Sequence, residues 1–130
     1  MSISVRELKG DEVVEVFHRL PGYALRSSPP LFDPTELADS VRVRTGAIYF
    51  GLFDGSAPVA CAGSSPLTQD VRGKLLRMGG VFDVATIPES RRKGHARRTM
   101  VGLLDAVRAS GATLSCLYPF RESLYSGTTV

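Results

Sequence analysis

The chain offers little from which to build a metal centre. Its 130 residues include only two cysteines and two histidines. Cys61 lies in PVACAG, Cys116 in TLSCLY, and His18 and His95 stand far apart. Metal sites need ligands gathered at short spacings, so no metal is expected. Both cysteines sit in apolar stretches and read as small buried hydrophobes with free thiols. No apolar run approaches the ~20 residues needed to cross a bilayer. The N-terminal MSISVRELKGDEVV lacks the apolar core of a signal peptide. The expectation is a cytoplasmic protein with no membrane partner. Net charge is only +3, which makes no strong claim on nucleic acid. A reading helix and an aromatic stacking platform are also missing, so no nucleic-acid partner is expected. Internal repeats and low-complexity tracts are absent. So are the phosphate-binding patterns Gly-x-x-x-x-Gly-Lys-Ser/Thr and Gly-x-Gly-x-x-Gly.

What is present suits one globular domain over residues 1–130. Hydrophobic residues make up 43% of the chain and charged residues 22%, which is globular composition. VRELKGDEVVEVFHRL passes from a short strand into a helix. Val13, Val14, Val16, Phe17 and Leu20 recur at helical spacing behind a capping Asp11. LPGYALRSSPP reads as a proline-rich loop. Asp33, Pro34 and Glu36 open a second helix over about residues 34–45. AIYFGLF (47–53), the turn DGS and APVACAGSSPL form a hairpin signal. TQDVRGK reads as a polar loop. LLRMGGVFDVAT reads as a long strand in which Gly79 and Gly80 mark a bulge or a close backbone approach. HARRTMVGLLDAVRAS is a helix with Met100, Leu103, Leu104 and Val107 on its apolar face and Gly111 at its end. ATLSCLY is a last strand. The order predicts an α/β (α+β) fold: a mixed, mostly antiparallel sheet flanked by helices. Its final strand–helix–strand unit should be a parallel crossover.

That crossover contains VFDVATIPESRRKGHARR. A helix start presents unpaired N–H groups and partial positive charge. A glycine-containing turn lets such groups converge on an anion. Arg91, Arg92 and Lys93 stand where the helix dipole disfavours cations, and a bound phosphate would reverse that cost. Gly94 is the position where side-chain bulk would block such a ligand. A solvated basic patch is the plain alternative.

RRKGHA (Arg91 to Ala96) fits the Arg/Gln-x-x-Gly-x-Gly/Ala signature of GNAT acyltransferases. The whole chain resembles the N-terminal region of the enhanced-intracellular-survival type of that family. The resemblance runs through SSPPLFDP, YFGLFDGSAPVACAGSSPLTQDVRGK, MGGVFDVATIPESRRKGHARR and LYPFRESLY. It implies the GNAT acyl-CoA N-acyltransferase fold and acetyl-CoA as co-substrate. Val84 and Thr86 then match the strand positions that pair with the pantetheine arm. Arg91, Arg92, Lys93, Gly94, His95 and Ala96 match the pyrophosphate loop. Tyr125 matches the tyrosine that protonates the departing CoA thiolate. A phenol of reference pKa near ~10 can give a proton to a thiolate whose acid lies near ~8.5. The implied acceptor is a primary amine, on a small molecule or a lysine.

The sequence also departs from the family. It stops at Val130, just after Tyr125, where such domains continue with strands that complete the sheet. SGTTV stands where an aromatic, basic continuation is expected. The expectation is a C-terminally short domain lacking the last strands, with its open edge covered by homo-oligomer formation. A non-catalytic or degenerate acetyl-CoA-binding module, or a fragment of a longer multidomain acetyltransferase, is the alternative to an enzyme. Tyr118 reads as strand-end packing and Glu122 as solvated.

Overall fold

The computed structural model describes residues 2–25 and 34–117. The chain runs β1 (Ile3–Leu8), α1 (Asp11–Leu25), α2 (Pro34–Val43), β2 (Ile48–Asp54), β3 (Ala57–Val71), β4 (Lys74–Thr86), α3 (His95–Ala109), β5 (Leu114–Cys116). A single 3-10 turn, Pro88–Ser90, lies between β4 and α3. The five strands form one sheet in chain order, β1-β2-β3-β4-β5. The first four are an antiparallel meander, and β5 runs parallel to β4.

Strand alternation splits the apolar side chains between two faces. On one face, Tyr49, Phe53, Cys61 and Ala85 pack against Val13, Val16, Phe17 and Leu20 of α1. Leu37 and Val41 of α2 join the same cluster. On the other face, Ala62 and Val81 pack against Met100, Leu103 and Val107 of α3. The helical spacing seen in the sequence is therefore the spacing of the buried stripe.

Besides Cys116, which is exposed on the short edge strand β5 and not buried, three readings of the sequence need correction. α1 does not end before Pro21 but carries it inside the helix and continues to Leu25. Proline removes one intrahelical hydrogen bond, and here Pro21 is itself buried, so packing offsets that loss. TQDVRGK is not a loop: β3 runs through Val71 and β4 starts at Lys74. Arg72 and Gly73 both have positive φ, 54° and 83°, as a tight two-residue hairpin turn requires. The Gly73 N–H donates to Asp70 Oδ1 at 2.8 Å.

The third correction concerns Gly79 and Gly80. They sit in regular register, opposite Pro66 and Ser65, with no bulge, and a Cβ on either would meet side chains before any backbone atom. A Cβ on Gly79 would meet Val107 Cγ1 and Ser64 Oγ at 2.7 Å each. The glycine lets α3 side chains settle on the sheet. The bulge lies further along. Gly63 pairs with Phe82 but Cys61 pairs with Ala85, so β4 holds one residue too many. Val81 faces α3 and Phe82 faces α1, then Val84 faces α3 again and Ala85 faces α1. The inserted residue is Asp83, whose φ is 51°.

Candidate functional site

β4, the turn after it and the start of α3 form one continuous surface. Gly94 is the residue before α3, with φ 77°, and no side chain caps the helix. The first intrahelical bond runs from the Arg98 N–H to the Gly94 carbonyl, 3.1 Å. The N–H groups of His95 and Ala96 therefore point out of the helix start. Arg92, two residues earlier, also has positive φ, 64°. Residues of alternating hand turn successive amides toward one side, which makes an anion-binding concavity. A Cβ built on Gly94 has nothing within 4 Å. The space over the concavity is open, and Arg91, Arg92 and Lys93 are exposed around it. The positively charged end of α3 faces that space.

His95 and Ala96 are half-buried at the first turn of α3. The Thr99 hydroxyl donates to the His95 carbonyl at 2.8 Å, with Thr99 fully buried. This bond anchors the first turn from below and leaves its amides free to face outward. His95 Nδ1 is buried without a hydrogen-bond partner among the described residues. Its backbone, rather than its imidazole, is placed toward the open side.

The edge of β4 completes the surface. β5 pairs only with Met78, Gly79 and Gly80. From Val81 to Thr86 no described residue pairs with that edge. The Ile87 N–H donates to the Val59 carbonyl at 3.0 Å. In an antiparallel ladder the direction of the backbone polar groups alternates. Ala85 and Ile87 thus face β3, while Val84 and Thr86 turn their N–H and C=O groups to the open edge. The bulge at Asp83 is what gives Val84 and Thr86 this phase. Unpaired strand edges are templates for an extended partner. The slot along Val84 and Thr86 leads to the amides at Gly94–Ala96.

Behind the bulge, on the α1 face, lies a polar group that the sequence reading missed. Asp83 is half-buried, and burial holds its carboxyl above the ordinary range, partly offset by the positive charge of Arg44. Arg44 stacks over the Phe82 ring, 4.5 Å from its centroid. Tyr49, 6% exposed, meets Phe17 and Phe82 edge-on at 5.2 and 5.8 Å. Its hydroxyl is buried with no hydrogen-bond partner among the described residues. Burial raises its pKa; Arg44 is near enough to offset this, though its geometry falls short of a hydrogen bond. The Cys61 thiol donates to the Asp83 carbonyl at 3.4 Å, and burial pushes that thiol well up. A lone aspartate in a strand carries no signal in a sequence. Only the register shift reveals Asp83.

Tyr125, Tyr118 and Glu122 lie outside the described residues. Among the described residues no three His, Cys, Asp or Glu side chains gather in a metal-binding group. No described helix is long and apolar enough to cross a membrane.

Comparison with known proteins bears on the family and the fold. The model of the acetyltransferase (GNAT) domain matches residues 4–128. A probable N-acyltransferase of Enterococcus faecalis superposes with a TM-score of 0.82 at 21% identity over 97% of this chain. This chain spans only 31% of that protein. A predicted acetyltransferase of Clostridium acetobutylicum, solved with acetyl-CoA, has a TM-score of 0.77 at 15% identity, covering 99% of this chain and 90% of its own. An aminoglycoside acetyltransferase from an uncultured soil metagenomic sample, in complex with trehalose, has a TM-score of 0.79 at 13% identity, covering 98% and 88%. At these identities the superpositions establish the fold. No curated protein sequence matches the chain.

Proposed function

The chain belongs to the GNAT acetyltransferase family, and on that premise we propose that it transfers the acetyl group of acetyl-CoA to a primary amine. The observation that carries this reading is the meeting of two backbone surfaces that no described residue pairs with. The outward amides of α3 adjoin the open edge of β4 at Val84 and Thr86. One suits a diphosphate, the other an extended amide-bearing arm, and acetyl-CoA has both. The open space above Gly94 fits such a ligand. Acetyl-CoA supplies the activated thioester.

The chain's own residues have distinct tasks in this proposal. The amides of Gly94, His95 and Ala96 hold the diphosphate oxygens, and Arg91, Arg92 and Lys93 add charge around them. Val84 and Thr86 hold the pantetheine arm by strand addition. An N–H on the open part of β4 stabilises the developing oxyanion. Tyr125 gives a proton to the departing thiolate, the role its place in RESLY implies. No covalent enzyme intermediate is needed, and Cys61 is buried away from such a role. The longer matching stretches, such as MGGVFDVATIPESRRKGHARR, support assignment to the enhanced-intracellular-survival branch. An aminoglycoside acetyltransferase shares the fold, which supports a polyamine-like small molecule as one acceptor class; a lysine side chain is the other.

The test separates binding from chemistry. Thermal-shift titration with acetyl-CoA, CoA and desulfo-CoA should raise the apparent stability, since each binds the folded state. Tyr125→Phe should keep that shift while thiol release against an amine panel falls about 10²-fold or more. Unchanged turnover in Tyr125→Phe would remove the tyrosine from the mechanism.

A further inference from the structure

We propose that Arg44 selects the acceptor, favouring small amines that also carry an oxyanion, a carboxylate or a phosphate. This rests on the acetyltransferase reading above and chooses among the acceptors that reading leaves open. The first observation is that the charge of Arg44, just after α2, has no partner. Its side chain makes no ion pair or hydrogen bond with a described residue. Asp83 is near enough for the two charges to act on each other, yet no contact between them reaches ion-pair distance. A guanidinium binds carboxylates and phosphates through a planar fork of N–H groups. In Arg44 that fork is open.

The second observation is that Arg44 is nonetheless held in place. Its guanidinium stacks over the Phe82 ring, 4.5 Å from the centroid, an arrangement that suits a planar cation. The ring has room because β3 carries glycine at position 63, where a Cβ would meet Phe82 Cζ at 2.6 Å. Tyr49 meets Phe82 edge-on at 5.8 Å, and Phe17 lies tilted at 6.4 Å. A stacked guanidinium has less freedom to lose when a ligand arrives. The third observation is the Tyr49 hydroxyl beside this stack. Tyr49 is 6% exposed, and its hydroxyl has no hydrogen-bond partner among the described residues. A buried polar group without a partner calls for one. An oxyanion held by Arg44 gives that phenol an acceptor.

The placement fits an acceptor and not the acetyl carrier. Phe82 and Tyr49 belong to the α1 face of the sheet, whereas the amides of the proposed diphosphate seat belong to α3 on the other face. The acceptor's anion and the diphosphate therefore meet different cations. Phe82 stands just before the bulge and Val84 just after it, at the start of the open edge. Two residues of strand span roughly 7 Å, and a bulge shortens that. An amine that reaches the open edge can thus rest an oxyanion on Arg44 through a spacer of a few methylenes. Arg44 makes and breaks no covalent bond in this role. It binds and orients, so its effect falls on the acceptor's KM.

The test measures thiol release from acetyl-CoA with two matched pairs of amines. One pair is 6-aminohexanoate and its neutral isostere 6-aminohexanamide; the other is 3-aminopropyl phosphate and 3-aminopropanol. The parent protein should favour the anion in each pair by about 10–100-fold in kcat/KM, the range of a hydrogen bond to a charged group. The pair with the larger ratio tells carboxylate from phosphate. Arg44→Gln keeps a hydrogen-bonding side chain without the charge and should bring both ratios close to one. Arg44→Lys should retain part of the preference, and Tyr49→Phe should lower it by less than Arg44→Gln does. The thermal shift with acetyl-CoA should persist in all three variants, which reads their folding apart from their acceptor choice. Ratios near one in the parent protein would overturn the proposal, as would undiminished ratios in Arg44→Gln, the result expected if Arg44 merely balanced Asp83. A preference for hexane-1,6-diamine over 6-aminohexanoate would overturn it in favour of a polyamine-like acceptor. A parent protein that acetyl-CoA does not stabilise would overturn the acetyltransferase reading itself, and the role of Arg44 with it.

Discussion

Gly94→Glu lowers acetyl-CoA affinity by about 100-fold or more, whereas Gly94→Ala retains most of it. Both substitutions force a side chain into φ 77°, so both carry the same backbone strain, of order 1–2 kcal/mol. Neither Cβ meets a neighbour, because nothing lies within 4 Å of that position. The difference between them is therefore the carboxylate placed over the amides of α3. Hydrogen bonds to a charged group contribute roughly 1.5–3 kcal/mol each. Losing two is worth about 3–6 kcal/mol, and each 1.4 kcal/mol is about tenfold in affinity. Calorimetric titration of the two variants checks this. If alanine and glutamate weakened binding equally, strain and not charge would be the cause. The open space over Gly94 would then not be the seat of an anion.

Leu103→Ala is expected to produce the largest loss of stability. Leu103 is 0% exposed and packs with Ala62, Val81, Met100 and Val107 between α3 and the sheet. Removing a fully buried leucine side chain costs about 2–5 kcal/mol, through lost burial and the cavity left behind. For a domain of this size a loss of 3 kcal/mol lowers the melting temperature by about 10 °C. The half-buried neighbour Leu104 should cost less when truncated. The loss should fall on folding and spare the ligand surface, since Thr99 still anchors the first turn through His95. Acetyl-CoA affinity below the melting transition should change little. Melting curves for the two truncations, with and without acetyl-CoA, separate these effects. Equal losses at Leu103 and Leu104 would contradict the assigned packing of α3.

Much of this architecture can be read from the amino acids alone, because burial leaves a periodic trace. Val13, Val16, Phe17 and Leu20 mark one face of α1, and Met100, Leu103 and Val107 mark one face of α3. The strand, helix and glycine turn around RRKGHA are legible from local chemistry, and they frame the proposed phosphate seat. Other features leave no local trace. The outer β3–β4 hairpin has both faces in solvent, so Leu67, Val71 and Leu75 are exposed and no alternation announces the strands. Pro21 reads as a stop, yet burial keeps it in the helix. The bulge is a relation between two strands, Cys61 with Ala85 and Gly63 with Phe82. Asp83 could be found only once that pairing was known.

The account stands on the joint surface of β4 and α3, and a backbone-amide NMR titration with acetyl-CoA tests it most directly. The prediction is that the largest shifts fall on Val84, Thr86 and the amides from Arg92 to Ala96, moving together with one dissociation constant. Shifts confined to other parts of the sheet, or an unperturbed Gly94–Ala96 turn at saturating acetyl-CoA, would contradict it.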